Sequence, residues 1–149
     1  LQDELKVDSS CIVIGHSSGA ECAMRWLESH QLTGVILVSA CYTDLGIQNE
    51  KISGYYDEPW KWEQIKTNAG FILQYHSTDD PFIPISEARH VAKHIDSQYI
   101  EHTNRGHYLG RTMPDIVEFL KTKYITENTN ATTSTADSKT EEKSLNSAM

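Results

Sequence analysis

Apolar positions follow two alternating patterns along the first 124 residues. Nearly continuous apolar runs, rich in β-branched and aromatic residues, occur as CIVIG (11–15), GVILVSA (34–40), GFILQYH (70–76) and SQYIEHT (97–103). Such runs are typical of strands buried on both faces. The other segments carry apolar residues at helical spacing: Ala20, Ala23, Met24 and Leu27; Ile85, Ala88, Val91, Ala92 and Ile95; Met113, Ile116, Val117 and Leu120. This alternation predicts an α/β fold, a three-layer sandwich with a mostly parallel sheet.

Two segments do not follow this alternation of strand and helix patterns. Residues 41–69 are long and rich in Tyr and Trp, which predicts a loop followed by a helix beginning near Pro59, with aromatic residues lining a pocket. Residues 125–149 are rich in Thr, Ser, Asn, Glu and Lys and nearly lack large apolar residues, which predicts a disordered polar tail. We therefore expect one domain over residues 1–124.

Charge and cysteine content narrow the class of protein. The formal net charge is −8 and Lys and Arg form no cluster, so we expect neither nucleic acid nor a membrane surface as a partner. Three cysteines without a CxxC pair favour a reducing compartment, so we expect the protein in the cytoplasm, with the nucleus as an additional location. The apolar runs are too short to span a bilayer, and LQDELKVD does not have the pattern of a secretion signal.

The segment GHSSG (15–19) matches G-x-S-x-G and lies between a predicted buried strand and a predicted helix. In that context the motif is typical of a nucleophile elbow, a strained turn that exposes the serine. The glycine spacing centres on Ser17, with Ser18 as the rival. The backbone N–H of Ser18 would then donate to an oxyanion. The alternative is an ordinary turn rich in Gly and Ser.

A nucleophilic serine needs a base and an acid, and candidates for both follow in the order expected of an α/β-hydrolase. The acid is Asp79 or Asp80 in HSTDDPFIP (76–84); we favour Asp80 because DPFIP resembles the acid loop of hydrolases. The base is His107 in NRGHY (104–108), which follows a glycine in a predicted loop. His90 and His94 have helical i, i+4 spacing but no Glu between them as in a zinc-peptidase helix, and the sequence shows no third ligand. We therefore expect neither a metal nor a cofactor.

Taken together, these segments resemble a known family. CIVIGHSSGA, TDLG, SGYY, PWKWEQIK, STDDPFIP and GHY closely resemble the retinoblastoma-binding-protein-nine family of serine hydrolases, a branch of the α/β-hydrolases, over about residues 4–123. The resemblance implies an intracellular serine hydrolase with the triad Ser17, Asp80 and His107. It also implies that the second of the two adjacent aspartates is the acid.

The chain differs from that family in two respects. The family's L-x-C-x-E motif, which docks on the retinoblastoma protein, corresponds here to LKVDS (5–9), so we do not carry that partner over. The family also begins with further strand–helix units and a Gly/Asn-rich loop that helps form the oxyanion hole. We therefore expect this chain to lack about two of the family's βα units, on the order of 60 residues. Either the sequence is a fragment or the protein has lost part of its sheet.

The predicted function is hydrolysis of a small ester, thioester or amide through an acyl-enzyme. The substrate is a small acyl compound, with His16, Trp60 and Trp62 as candidate pocket residues. The alternative is a hydrolase-fold module with little or no activity that acts by protein–protein interaction through its aromatic segment. A metal-dependent hydrolase is a third possibility, which would require a clustered ligand set.

Overall fold

The structure, a computed structural model, describes residues 6–123. The segment 125–149, predicted to be a disordered tail, lies outside the described residues. The chain divides after Leu109 into two compact units, and each is described by itself. The described part of the first contains four strands and four helices. The described part of the second contains a helix over residues 114–123, as the spacing of its apolar residues predicts.

Four parallel strands form the sheet of the first unit. They are β1 (Ile12–His16), β2 (Gly34–Val38), β3 (Ile72–Ser77) and β4 (Gln98–His102), hydrogen-bonded in that order. Each predicted strand is present, with bounds that differ by one or two residues. All residues of β2 and β3 are buried, as their continuous apolar character predicts, whereas β1 and β4 are partly exposed. The parallel α/β prediction is therefore confirmed.

Helices connect the strands. They are α1 (Ser18–Leu27), α2 (Gln48–Lys51), α3 (Trp62–Thr67) and α4 (Ile85–Ile95). The apolar stripes of α1 and α4 pack with Ile65 of α3 on the sheet, forming the hydrophobic core. The helix predicted near Pro59 begins three residues later, at Trp62. The four-residue α2 was not predicted, because one helical turn is too short to show an apolar period.

The strand register brings the loops together at one edge of the sheet. His16 pairs with Val38, Val38 with Tyr75, and Ser77 with His102, so the carboxyl ends of all four strands lie side by side. The loops that follow these strands carry Ser17, Asp80 and His107. Ligands bind at this edge in open α/β sheets.

Arg25 of α1 anchors the long aromatic segment that precedes α3. Its guanidinium donates to the carbonyls of Tyr55 (2.8 Å) and Glu58 (2.5 Å) and lies 3.8 Å from the ring centre of Trp60. Glu28, one turn farther along, accepts from the backbone N–H of Lys61 at 3.0 Å. The segment is thus tied to the outside of α1. Within residues 6–123, no helix has the length and apolar character needed to cross a membrane.

Candidate active site

Ser17 occupies a strained turn between β1 and α1. Its φ of 53° and ψ of −130° lie where residues other than glycine are rare, at a cost of ~1–3 kcal/mol. Its N–H donates to the carbonyl of Val38 at 2.9 Å, and its own carbonyl accepts from the N–H of Ala20 at 2.6 Å. These bonds to β2 and to the first turn of α1 hold the backbone in this conformation.

Asp80 and His107 are in direct contact. Nδ1 of His107 lies 2.8 Å from Oδ2 of Asp80, and their side chains are only 8% and 1% exposed. A carboxylate can only accept a hydrogen bond, so Nδ1 carries the proton of a neutral imidazole. Nε2 then keeps its lone pair, which a general base requires.

The turn after β3 fixes Asp80. Its Oδ1 accepts from the backbone N–H groups of Phe82 at 2.9 Å and Ile83 at 3.1 Å, which leaves Oδ2 for His107. Burial pushes the pKa of Asp80 upward, but the bonds from His107 and the two amides outweigh it and lower the pKa below its ordinary value. Asp80 is therefore ionised at neutral pH. The neighbouring Asp79 bonds instead to the backbone of Gly106, at 2.9 Å.

Ser17 and His107 line the same cavity, which has a volume of about 180 Å³. Four apolar side chains form much of its wall: Leu45, Ile47, Phe82 and Ile83. Phe82 packs edge-on against the ring of His107, with centroids 5.0 Å apart. The nucleophile and base candidates thus face a small, mainly apolar space.

Comparison with known proteins identifies the family. A model of the family described as serine hydrolase matches residues 1–111. The chain belongs to the serine hydrolase family. It is 46% identical to the rat serine hydrolase RBBP9 over 121 residues, which cover 81% of this chain and 65% of the rat protein. The chain thus spans less than two thirds of that relative's length.

Solved structures agree on the fold of this member of the serine hydrolase family. The crystal structure of the ydeN gene product from Bacillus subtilis matches with a TM-score of 0.72 at 23% identity, over 80% of this chain and 68% of that one. The carboxylesterase of Bacillus cereus matches with a TM-score of 0.52 at 24% identity, over 84% of this chain and 54% of that one. The predicted α/β-hydrolase fold is confirmed.

The three predicted pocket residues make contacts outside the lining of this cavity. His16 donates from Nε2 to the backbone carbonyl of His107 at 2.8 Å. Trp60 donates from its indole to the carbonyl of Tyr42 at 2.9 Å, and Trp62 packs on His94 with ring centroids 5.1 Å apart. These contacts brace the surrounding loops and helices, and none of the three residues is part of the cavity lining. Their role in substrate binding stays a prediction.

Two carboxylates in the cavity wall were missed by sequence reasoning. Oε1 of Glu50 accepts from the hydroxyl of Ser18 at 2.8 Å, and Oε1 of Glu21 accepts from the N–H of Cys41 at 2.7 Å. Glu21 is three residues before Met24 on the buried stripe of α1, a position from which its burial could have been predicted. Glu50 lies on the short α2 and carried no comparable signal. Among residues 6–123, no group of three or more His, Cys, Asp or Glu is arranged to bind a metal ion.

Glu21 should make the stability of the protein fall as the pH rises. Burial raises its pKa from 4.5 to about 8, with the Cys41 amide opposing part of that shift. The folded state therefore binds more protons than the unfolded state between these values, and the free energy of unfolding decreases there by up to about 1.4 kcal/mol per pH unit from this group. Glu21→Gln keeps an oxygen acceptor for Cys41 and cannot ionise, so its unfolding free energy should depend less on pH.

Urea unfolding of both proteins between pH 4.5 and about 8 measures this effect. The difference in unfolding free energy between Glu21→Gln and the original protein should grow in favour of the variant as pH rises. Glu63→Gln, at an exposed position of α3, serves as the control and should keep the original slope. Parallel curves for Glu21→Gln and the original protein would contradict the assignment.

Proposed function

We propose that this serine hydrolase chain carries a Ser-His-Asp active site that transfers an acyl group to water through Ser17, His107 and Asp80. The observation that carries the proposal is the 2.8 Å contact between His107 Nδ1 and Asp80 Oδ2, beside a cavity that His107 shares with Ser17. Ser17 also has the strained backbone expected of a nucleophile elbow.

In the acylation step, Nε2 of His107 takes the hydroxyl proton of Ser17 while Oγ bonds to the carbonyl carbon of the substrate. The carbonyl oxygen becomes an oxyanion, which the backbone N–H of Ser18 at the start of α1 would stabilise. Asp80 stabilises the imidazolium and keeps the proton on Nδ1. When the tetrahedral intermediate collapses, His107 returns its proton to the departing alcohol, thiol or amine.

In the deacylation step, water replaces the leaving group. His107 removes a proton from water, the resulting oxygen attacks the acyl carbon, and the bond to Ser17 breaks as His107 reprotonates Oγ. The products are a carboxylic acid and the free enzyme. All three groups return to their starting protonation states.

The cavity favours a small, apolar acyl group. A volume of about 180 Å³ is below the range of ~300–1,000 Å³ usual for drug-sized ligands, and four apolar side chains contribute to its wall. An ester, thioester or amide carbonyl meets the requirements of the mechanism equally well. Short-chain acyl esters such as p-nitrophenyl acetate are therefore suitable probe substrates.

A fluorophosphonate probe tests the nucleophile. The probe should label the protein, and the labelled peptide should carry the modification on Ser17, because phosphonylation requires the same activated oxygen as acylation. Ser17→Ala should abolish labelling. Ser18→Ala is the matched control, since it removes the neighbouring hydroxyl but keeps the backbone N–H, and its labelling should persist.

The opposite results would reject the proposal. Labelling that persists in Ser17→Ala would remove Ser17 from the nucleophile role. A correctly folded protein that neither labels nor hydrolyses p-nitrophenyl acetate would instead support the interaction-module alternative.

A further inference from the structure

We propose that Asp79 and His16 are positioning residues that fix the backbone of the His107 loop from its two sides. This inference rests on the proposed function, because it assumes that His107 is the base. Neither residue touches the reacting atoms. Each bonds to the main chain at or next to His107, and together they set where its imidazole meets Ser17.

Asp79 holds the segment before His107. Its Oδ1 accepts from the N–H of Gly106 at 2.9 Å and from the hydroxyl of Ser77 at 2.5 Å. The Ser77 oxygen in turn accepts from the N–H of Arg105 at 3.0 Å. The consecutive N–H groups of Arg105 and Gly106 therefore donate to Ser77, at the end of β3, and to Asp79.

His16 holds the carbonyl of His107 itself. Nε2 of His16 lies 2.8 Å from that oxygen, and since a carbonyl can only accept, Nε2 carries the proton. The two imidazole rings are 4.9 Å apart between centroids. Because His16 directly precedes Ser17, this bond links the backbone of the nucleophile to that of the base.

The loop needs such restraint because its backbone is strained. Tyr108 has φ of 53° and Gly106 has φ of 52°, so only the glycine adopts its conformation at little cost. Asp79 and His16 are both exposed, so their bonds contribute little to global stability compared with a buried contact. Their expected effect is on geometry, where a displacement of about 1 Å can cost a hundredfold in rate.

Four substitutions test the proposal with p-nitrophenyl acetate as substrate. Asp79→Ala and His16→Ala should each lower kcat by about tenfold to a hundredfold with little change in KM, because the base is misplaced while the cavity is retained. Asp79→Asn keeps an oxygen acceptor and His16→Gln keeps an N–H donor, so both should recover most of the lost kcat. Thermal unfolding should give similar Tm values for all four.

Thr78→Ala is the matched control. Thr78 is exposed and adjacent to Asp79, and its backbone N–H bonds to the His102 carbonyl at 2.8 Å, a contact that the substitution retains. Its kcat should equal that of the original protein. This comparison separates the Asp79 contact from general sensitivity of the loop.

Two outcomes would overturn the inference. An unchanged kcat in an alanine variant removes that residue from the positioning role, and an unchanged kcat in both rejects the proposal. A loss of kcat that follows a lower Tm and is not recovered by Asp79→Asn or His16→Gln indicates a structural role instead. Fluorophosphonate labelling of Ser17 in the original protein keeps these results distinct from failure of the proposed function, which would abolish that labelling.

Discussion

Replacing Asp80 with asparagine should lower kcat by roughly 10⁴-fold without unfolding the protein. Asparagine can still accept from the amides of Phe82 and Ile83 through Oδ1, so the turn is preserved. Its NH₂ group then occupies the place of Oδ2 and faces Nδ1 of His107. The imidazole must accept there and carry its proton on Nε2, so it cannot take the proton of Ser17.

The assay is hydrolysis of p-nitrophenyl acetate, with Tm measured alongside. Asp44→Asn is the matched control, because Asp44 also lies in a loop after a strand of the sheet. Its Oδ1 accepts from the N–H two residues on, that of Gly46, at 2.8 Å. Asp44→Asn should keep kcat within a few-fold, which would show that an Asp-to-Asn change in such a turn is harmless in itself. A kcat for Asp80→Asn within tenfold of the original would mean that Asp80 is not the acid of a triad.

The choice between Asp79 and Asp80 illustrates what the sequence could predict. Both aspartates follow the same buried strand, and spacing alone leaves them as alternatives. Asp80 is favoured because DPFIP resembles the acid loop of hydrolases, and the family resemblance implies the second aspartate. In the structure, Asp80 contacts His107 while Asp79 contacts Gly106. The orientation of a carboxylate depends on the turn around it. Here it depends on the two backbone N–H groups that donate to Asp80, and such hydrogen bonds produce no pattern in the sequence.

The strands and the two long helices were predictable because burial on both faces gives a strand a continuous apolar run, and burial of one face gives a helix an apolar period. The apolar part of the cavity wall was not, since its residues lie in loops that the sheet register brings together. Glu50 reaches Ser18 from a helix of a single turn, and Leu45 comes from the loop before it. Trp60 is predicted to line a substrate pocket, and that role stays a prediction; in the structure the guanidinium of Arg25 lies over its ring, and both residues line a second cavity that does not include Ser17 or His107. Aromatic composition alone does not distinguish these two environments.

Alanine substitution of the two glycines of GHSSG should have different effects on the free energy of unfolding. A Cβ on Gly15 would lie 2.4 Å from the carbonyl oxygen of Gly19 and 2.7 Å from Cα of Ala20, both backbone atoms of α1. These atoms can move only if the helix shifts away from β1. Gly15→Ala should therefore lower the free energy of unfolding by about 1–3 kcal/mol or more. It should also reduce fluorophosphonate labelling, because Ser17 lies between the elements that separate.

Gly19→Ala is the natural comparison. A Cβ at Gly19 meets no atom within 4 Å, and the residue lies in helical backbone, where alanine is favoured over glycine by roughly 0.5–1 kcal/mol. This variant should therefore be as stable as the original or more so. Urea unfolding of both variants gives the two free energies, and a loss for Gly19→Ala equal to that for Gly15→Ala would refute the assignment. Since only Gly15 requires the absence of a side chain for space, close packing of strand against helix at the elbow depends on the first glycine of the motif rather than on both.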